Sequence, residues 1–550
     1  MRNAPRAALA ALALAVAPAA LVAQSMNPIP SDPVSTTSGR IAGTAIDAGV
    51  RAYLGIPFAA PPVGNLRWAP PAPLSWNGVF NADRKGAQCM QVLRPHDINH
   101  YFGEESTSEN CLFMNLWAPA AAKPDAKLPV IVFIYGGGYT IGSSGMANYD
   151  GAAMARAGAI FVNFNYRVGA LGFLAHPALS AEQGGHSGNY GMMDQTAALK
   201  WIHNNIARFG GDPDKVVIMG QSAGARSVIT QVFSPEARGL FRAAVMSSGC
   251  NLGGRTTELA DAEKTGVQFQ KALGAPDLAA MRNVAADRII AAQAESQLGL
   301  AVSGVRIAGP IIDGKALPRQ LSDMLAEGDF ARVPMVASYN SDDISFGFGP
   351  LLKASTVVEY GAAASTLFGA NAAKFLALYP AKSDAEVRAA ARRAAADAGF
   401  AASARKCAIA TARHGVPTFI DTYTRRHPYV PGVKIADQDT ATVGAYHTAD
   451  IPYWFGTQDV YNWQRPTRDW QPWDRQLSRQ MMQALIALAE TGSPSTPAMP
   501  WAAWSPKNDT ALVLGDAVST AKFNLAGQDW LAANPPAALP PEPMSSRPRD

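Results

Sequence analysis

The sequence carries little charge and nowhere concentrates it. Only 16% of the 550 residues are Asp, Glu, Lys or Arg, and 47 basic against 43 acidic side chains leave a formal net charge of +4. Proteins that bind nucleic acids usually show a clustered Lys/Arg face and a domain pI above about 9. Since this chain has no basic block and a pI of about 8.7, we expect no nucleic-acid partner. The 48% of hydrophobic residues argue against intrinsic disorder.

No apolar run is long enough to cross a bilayer, which takes about 20 residues. The nearest approach, Leu9–Ala23, spans 15 residues, follows Arg2 and Arg6, and precedes small residues up to Ser25. This order of segments is typical of a secretory signal peptide, with a retained N-terminal anchor as the alternative. We therefore expect residues 1–25 to be a signal peptide with an approximate cleavage site, no membrane span, and a secreted or periplasmic protein.

Cysteine is scarce, and no C-x-x-C or H-E-x-x-H spacing occurs, so the sequence signals no metal site and no cofactor. Cys89 and Cys111 bracket a polar segment that we interpret as a closed surface loop. Cys250 and Cys407 either pair or remain as two free buried thiols.

Short apolar runs alternate with helical patterns along most of the chain. Such alternation predicts an α/β fold with a central, mostly parallel sheet flanked by helices. We find no internal repeat and no linker, so we expect one large domain over residues 26–531, with large loop and helical insertions. Residues 532–550 form a Pro-rich tail that we expect to be disordered. The predicted strands are 51–55, 128–135, 159–165, 215–219, 243–247, 333–339 and 416–423, and the predicted helices are 192–209, 258–292, 384–413 and 474–491.

The segment Gly220-Gln-Ser-Ala-Gly224 joins a predicted strand to a predicted helix. A serine on such a tight turn is strained, and flanking glycines remove the Cβ atoms that would clash. The turn exposes the Ser222 hydroxyl and leaves the Ala223 N–H free to bind a developing oxyanion. An idle serine on a Gly-rich turn is the alternative. Earlier, the loop Tyr135-Gly-Gly-Gly-Tyr139 follows another strand, and its glycines can direct backbone N–H groups at one oxygen.

With these motifs the chain resembles the type-B carboxylesterases, a family of α/β-hydrolases that also holds cholinesterases and fungal lipases. The likeness implies an α/β-hydrolase fold, serine hydrolase chemistry, an oxyanion hole made by Gly137, Gly138 and Ala223, and a Cys89–Cys111 disulfide. The matching stretches are YLGIPFAAPPVGNLRW (53–68), SENCLFMNLW (108–117), FIYGGGY (133–139), NYRVGALGFL (165–174), GNYGMMDQTAALKWIHNNIARFGGDP (188–213) and GQSAGARSV (220–228).

In this fold an acid and then a histidine follow the serine along the chain. Among three downstream histidines, His447 lies in GAYHTAD, which resembles the family's G-A-x-H-x-x-[DE] segment and implies the catalytic base. His427 is the alternative but is expected at the surface, and His414 fits a helix-capping role.

The acid is expected in NSDD after the strand that ends near Tyr339, a segment that resembles the family's G-x-N-x-D-E-G. The resemblance assigns Asp343, with Asp342 as the alternative, although the family usually has Glu there. Either carboxylate can hold the imidazole tautomer and stabilise imidazolium. Being one methylene shorter, Asp requires a closer approach of its loop to the histidine.

Four further residues are candidates for the substrate pocket: Gln221, Tyr101, Arg226 and Tyr139. Gln221 stands where cholinesterases carry Glu, and Tyr101 stands where they stack a quaternary ammonium on Trp, so a choline-ester specialist is not expected. Arg226, one helical turn after Ser222, is either solvated or paired, or favours an anionic group on the substrate.

The resulting hypothesis is an exported serine carboxylesterase with a small-molecule ester as its partner. Two alternatives remain: a lipase-like interfacial esterase, and a non-catalytic binding or adhesion member of the family. The sequence leaves the ester and the oligomeric state open.

Overall fold

An eleven-stranded sheet forms the centre of the computed structural model, which describes residues 27–92, 105–297, 307, 309–343, 347–435 and 439–538. In chain order the strands are β1 (Val34–Ser35), β2 (Arg40–Ala42), β3 (Thr44–Asp47), β4 (Val50–Pro57), β5 (Val79–Asn81), β6 (Gln88–Cys89), β7 (Thr107–Ser108), β8 (Phe113–Pro119), β9 (Leu128–Ile134), β10 (Ile160–Phe164), β11 (Gly211–Gln221), β12 (Ala243–Ser247), β13 (Met335–Asn340), β14 (Thr418–Tyr423), β15 (Thr510–Leu514) and β16 (Val518–Lys522).

The order across the large sheet is β16-β15-β14-β13-β12-β11-β9-β10-β8-β4-β3. Its central strands, from β10 through β9 and β11 to β15, are parallel neighbours. Antiparallel strands extend both edges. Strands such as β10 and β12 are buried along their whole length, as expected for parallel strands covered on both faces. The predicted mostly parallel sheet is therefore confirmed.

Helices cover the sheet and also build an insertion at one end. In chain order they are α1 (Ala152–Arg156), α2 (Gly169–Phe173), α3 (Pro177–Glu182), α4 (Tyr190–Asn205), α5 (Ala223–Phe233), α6 (Leu259–Leu273), α7 (Leu278–Asn283), α8 (Ala286–Gln297), α9 (Leu321–Glu327), α10 (Gly349–Lys353), α11 (Val357–Phe368), α12 (Ala372–Leu378), α13 (Asp384–Ala398), α14 (Phe400–Ala412), α15 (Ile451–Phe455), α16 (Pro472–Thr491) and α17 (Leu525–Ala533). Helices α10 to α13, together with α17, share a second apolar cluster separate from the main core.

Two of the predicted helices are divided in the structure. The predicted helix 258–292 is three helices, α6 to α8, with the first ending at the left-handed Gly274. The predicted helix 384–413 is broken at Gly399, which ends α13 and precedes α14. Glycine ends helices readily because, without a Cβ, it adopts left-handed and other backbone conformations that are unfavourable for other residues.

Both cysteine pairs are bonded. Cys89 joins Cys111, as the family resemblance implies. Cys250, three residues after β12, joins Cys407 of α14, which decides between the two alternatives that the sequence left open.

The predictions for the two ends of the chain concern a signal peptide at the N-terminus and a Pro-rich tail at the C-terminus. The predicted signal peptide lies outside the described residues. At the start of the predicted tail, α17 ends at Ala533 and the Ala537 N–H donates to the Leu367 carbonyl. No helix among the described residues is long and apolar enough to span a membrane.

Candidate active site

The loops that follow β9, β11, β12 and β13 meet at the carboxyl edge of the parallel strands, where ligands bind in open α/β sheets. They surround a cavity of about 750 Å³, together with residues of α13 and α14. Ser222 and His447, which are far apart in sequence, both line this cavity.

Ser222 lies on the turn between β11 and α5 with φ 58° and ψ −123°, a strained conformation for a residue with a Cβ. Its N–H donates to the Ser247 carbonyl of β12, 2.8 Å away. A Cβ on Gly224 would lie 2.0 Å from the Ile134 carbonyl oxygen, and one on Gly220 would lie 2.2 Å from the Gly224 carbonyl oxygen. These two positions therefore require glycine for the turn to close.

The glycine loop after β9 lies against this turn. A Cβ on Gly136 would lie 2.9 Å from the Ser222 Cβ, and one on Gly137, at φ +103°, would lie 2.2 Å from the Ile141 carbonyl oxygen. In the described part of the chain, the N–H groups of Gly137, Gly138 and Ala223 have no protein acceptor. Three uncommitted donors beside a strained serine form an arrangement that can hold an oxyanion.

Asp343 and His447 are joined by a hydrogen bond of 2.5 Å between Asp343 Oδ1 and His447 Nδ1. The Asp343 side chain is only 3% exposed. Its other oxygen accepts from the Ser248 hydroxyl at 2.5 Å and from the Asn340 N–H at 3.3 Å. Because both carboxylate oxygens are committed, Asp343 holds the imidazole in one orientation, the geometry expected of an acid–base pair.

The opposite ring nitrogen, His447 Nε2, lies 3.0 Å from the Gln221 side-chain nitrogen. With Nδ1 donating to Asp343, Nε2 is the acceptor, and the Gln221 amide is its donor. The hydrogen bonds of the described residues do not include one between Ser222 and His447; catalytic hydrogen bonds are often long without substrate. Gln221, predicted as a pocket residue, thus contacts the candidate base itself.

Three side chains that the sequence reasoning did not assign hold the histidine loop in place. The Asn340 amide donates to the Tyr446 carbonyl at 2.6 Å and to Asp450 Oδ1 at 3.2 Å. Asp450 also accepts from the Ser247 hydroxyl at 2.7 Å, and burial raises the pKa of its carboxyl. Asp450 is the acidic position of the GAYHTAD segment and Asn340 is the amide position of the segment matched to G-x-N-x-D-E-G, and these were the available signals; nothing marked Ser247.

Asp342 does not compete with Asp343 for the histidine. Its carboxylate accepts from the Ala445 N–H at 2.8 Å and forms an ion pair of 2.7 Å with Arg392. Asp342 therefore fastens the loop that carries His447, while Asp343 contacts the ring itself.

His427 is not at the surface, as the sequence suggested, but 3% exposed. Its ring packs among aromatic side chains, including Tyr446 and Trp470, and Nε2 donates to the Ala449 carbonyl at 2.8 Å. Burial lowers its pKa well below the usual range. His414 follows α14 and packs edge-on against Phe330.

The remaining pocket candidates lie in different places. Tyr139 and Arg226 line the cavity, and Tyr101 lies outside the described residues. Burial raises the pKa of the Tyr139 phenol to about 12, an effect that the nearby Arg226 charge opposes. A second arginine, Arg255, also lines the cavity and was not predicted. Within the described ranges, no cluster of His, Cys, Asp and Glu could hold a metal ion.

A strained serine on a strand-to-helix turn, a glycine loop with free N–H groups and an Asp–His pair define the site of an α/β-hydrolase. The chain belongs to the carboxylesterase family, whose model matches residues 30–530. It is a carboxylic-ester hydrolase by that membership and by its similarity to known esterases.

Among its relatives, the fumonisin B1 esterase of Sphingopyxis macrogoltabida is 38% identical over 423 residues, which are 76% of this chain and 74% of that protein. The para-nitrobenzyl esterase of Bacillus subtilis (strain 168) is 32% identical over 497 residues, which are 88% and 95% of the two chains. A solved PNB esterase structure superposes with a TM-score of 0.72 at 30% identity, covering 90% of this chain and 98% of the other. The predicted α/β-hydrolase fold is thereby confirmed.

Proposed function

We propose that this protein is an exported serine carboxylesterase that acts through an acyl-enzyme on Ser222. His447 is the general base and then the general acid, and Asp343 orients it. The observation that carries the proposal is the 2.5 Å hydrogen bond between Asp343 and His447, beside the cavity that also exposes Ser222.

In the proposed reaction, His447 Nε2 takes the proton of Ser222 as Oγ attacks the ester carbonyl carbon. The N–H groups of Gly137, Gly138 and Ala223 bind the oxyanion. Collapse of the tetrahedral intermediate breaks the bond to the alcohol oxygen, which receives the proton from His447. Water activated by the same nitrogen then hydrolyses the acyl-enzyme, releasing the acid and free Ser222.

The hydrogen bond between Gln221 and His447 must break before the reaction can start. Nε2 has one lone pair in the plane of the ring, so the Gln221 amide must release it before Ser222 can donate to it. The tautomer that Gln221 and Asp343 together maintain is the one that the reaction needs.

Labelling with a fluorophosphonate probe tests the serine. We expect one label on Ser222, found by peptide mass spectrometry, and none in a Ser222→Ala variant, whose ester hydrolysis should fall by about 10⁶-fold. Ser365→Ala, at an exposed serine of α11, is the matched control and should label as the parent does. A folded parent protein that takes up no label would overturn the proposal.

Export is supported by the order of charged, apolar and small residues in 1–25. Expression of the full chain in a bacterial host should give a mature protein that begins near residue 25 and fractionates outside the cytoplasm. A chain whose predicted leader is deleted should remain in the cytoplasm. Recovery of the full-length protein with an intact N-terminus in the cytoplasm would contradict export.

A further inference from the structure

Two arginines, Arg226 and Arg255, line the cavity, and both are exposed to it. Arg226 lies one helical turn after Ser222 on α5, and Arg255 lies in the segment between β12 and α6. Among the described residues that line the cavity, none is Asp or Glu. The cavity wall therefore carries two positive charges that no acidic residue of that wall neutralises.

No carboxylate of the described residues holds either Arg226 or Arg255 in an ion pair. Asp261, whose pKa is lowered mainly by Lys264 and also by the Arg255 charge, pairs with Lys264 at 2.8 Å. Glu258 accepts instead from Gln320 at 2.6 Å. Arginines that do pair with carboxylates outside the cavity wall include Arg67 with Glu109, Arg167 with Asp194, and Arg405 with Asp509.

The segment that carries Arg255 is held on both sides. Cys250 is bonded to Cys407 of α14, and Gln320 exchanges hydrogen bonds of 2.9 and 2.8 Å with the N–H and carbonyl of Thr256. An arginine on a fixed segment loses less entropy when it binds an anion. The guanidinium fork suits a carboxylate in particular, because it can donate two parallel hydrogen bonds.

The reaction geometry indicates which part of the ester meets these arginines. In the tetrahedral intermediate the oxyanion faces the N–H groups of Gly137, Gly138 and Ala223. The alcohol oxygen must face His447, which protonates it. The acyl chain is left to point at the remaining wall, which holds Arg226 and Arg255.

We propose that the site prefers esters whose acyl part carries a second, free carboxylate, bound by Arg226 and Arg255. This inference rests on the proposed function and names its substrate class. The buried Tyr139 phenol is uncharged at neutral pH, as any tyrosine with a pKa of about 10 is, and burial raises its pKa further. It therefore leaves that wall without a competing negative charge.

Three esters of matched size test the preference: monoethyl glutarate, ethyl pentanoate as the neutral counterpart, and 4-(propanoyloxy)butanoate, an isomer with its carboxylate on the alcohol side. We expect the mature protein to hydrolyse monoethyl glutarate with the highest kcat/KM. Replacing Arg226 or Arg255 by Ala should lower the ratio of kcat/KM for monoethyl glutarate to that for ethyl pentanoate by about 10- to 100-fold, since a hydrogen bond to a charged group is lost.

Arg156→Ala is the control for net charge, because Arg156 pairs with Asp47 on the surface outside the cavity. It should leave the ratio as in the parent. A ratio that the double variant Arg226→Ala/Arg255→Ala does not change would overturn the inference, as would a higher kcat/KM for the alcohol-side carboxylate. Failure of the parent protein to hydrolyse any of the three esters, or activity that survives Ser222→Ala, would count against the proposed function instead.

Discussion

The two halves of the candidate active site are built by different means. The serine turn and the glycine loop are fixed by backbone packing, since a Cβ on Gly137 or Gly224 would come within 2.2 Å of a carbonyl oxygen. The acid and the histidine are fixed by side-chain hydrogen bonds: Asp342 accepts from the Ala445 N–H, Asn340 donates to the Tyr446 carbonyl, and Ser248 donates to Asp343. The first half tolerates few residue types and makes a recognisable motif. The second can be assembled from several residue sets, so its sequence is less informative.

Among the variants that compare the two halves, removing the charge of Asp343 should have the largest effect. In Asp343→Asn the side chain can no longer accept a hydrogen bond through both of its polar atoms, so His447 loses its preferred tautomer, and we expect kcat to fall by about 10⁴-fold. Asp342→Asn, which leaves the contact to the ring intact, should instead lower the melting temperature. Equal losses of activity in the two variants would contradict the assignment of Asp343 as the catalytic acid and of Asp342 as a residue that only fastens the His447 loop.

A pair of glycine variants examines the backbone-fixed half. Gly137→Ala places a Cβ 2.2 Å from the Ile141 carbonyl oxygen, so the loop must shift and the oxyanion loses donors. We expect kcat to fall by about 10²- to 10³-fold. Gly138→Ala meets no atom closer than 4.0 Å at φ +63°, and should cost only the roughly 1–2 kcal/mol of a left-handed alanine. Steady-state kinetics on folded variants, checked by circular dichroism, would show this difference; equal losses would contradict it.

Asn340→Ala examines the half held by side chains. The variant leaves the Tyr446 carbonyl and the Asp450 carboxyl short of a donor, and the His447 loop should loosen. We expect kcat to fall about 10- to 100-fold, as small misplacements of catalytic groups do, while labelling of Ser222 still goes to completion more slowly. An unchanged kcat with only a lower melting temperature would restrict Asn340 to a structural role.

The smallest expected effect is on stability and concerns His427, which donates a hydrogen bond to the Ala449 carbonyl in the loop that carries His447. Because burial lowers its pKa, the folded protein leaves His427 neutral below pH of about 6.5, where the unfolded chain binds a proton. The free energy of unfolding should therefore fall as the pH drops below about 6.5, by up to about 1.4 kcal/mol per pH unit. His427→Gln keeps a donor for Ala449 and should remove this slope.

Urea unfolding of both proteins from pH 5 to 7.5 measures the difference. Other titrating groups contribute equally to the two curves and cancel. Curves that run parallel across this range would show that His427 does not titrate between the folded and unfolded states.

Sequence reasoning reached the backbone-fixed half almost completely. Ser222, Gly137 and Gly138 lie on the turn and the loop that the motifs indicated. A Cβ would clash with a carbonyl oxygen at Gly137, Gly220 or Gly224, so the glycine pattern marks this half in the sequence. The strands were found for a similar reason, since a strand covered on both faces must be apolar throughout. Arg255 could not be found in this way, because an arginine in a loop has many ordinary roles and acquires this one only through its neighbours in the fold. Asn340 lay in a matched segment, but its hydrogen bonds to the His447 loop could not be read from it. His427 was misjudged because its polar surroundings in sequence, TRRHPYV, do not show the aromatic residues that enclose it.

The Cys250–Cys407 bond joins the segment that carries Arg255 to the helix that begins with Phe400, whose ring stacks on His447. It thus ties the wall assigned to the acyl group to the wall beside the base. Reduction of this disulfide should leave the acylation and deacylation steps intact while the two walls become less rigidly positioned relative to each other. In a reducing cytoplasm the same polypeptide would discriminate less between esters with and without a free acyl carboxylate. The redox state of its surroundings would therefore affect its substrate preference.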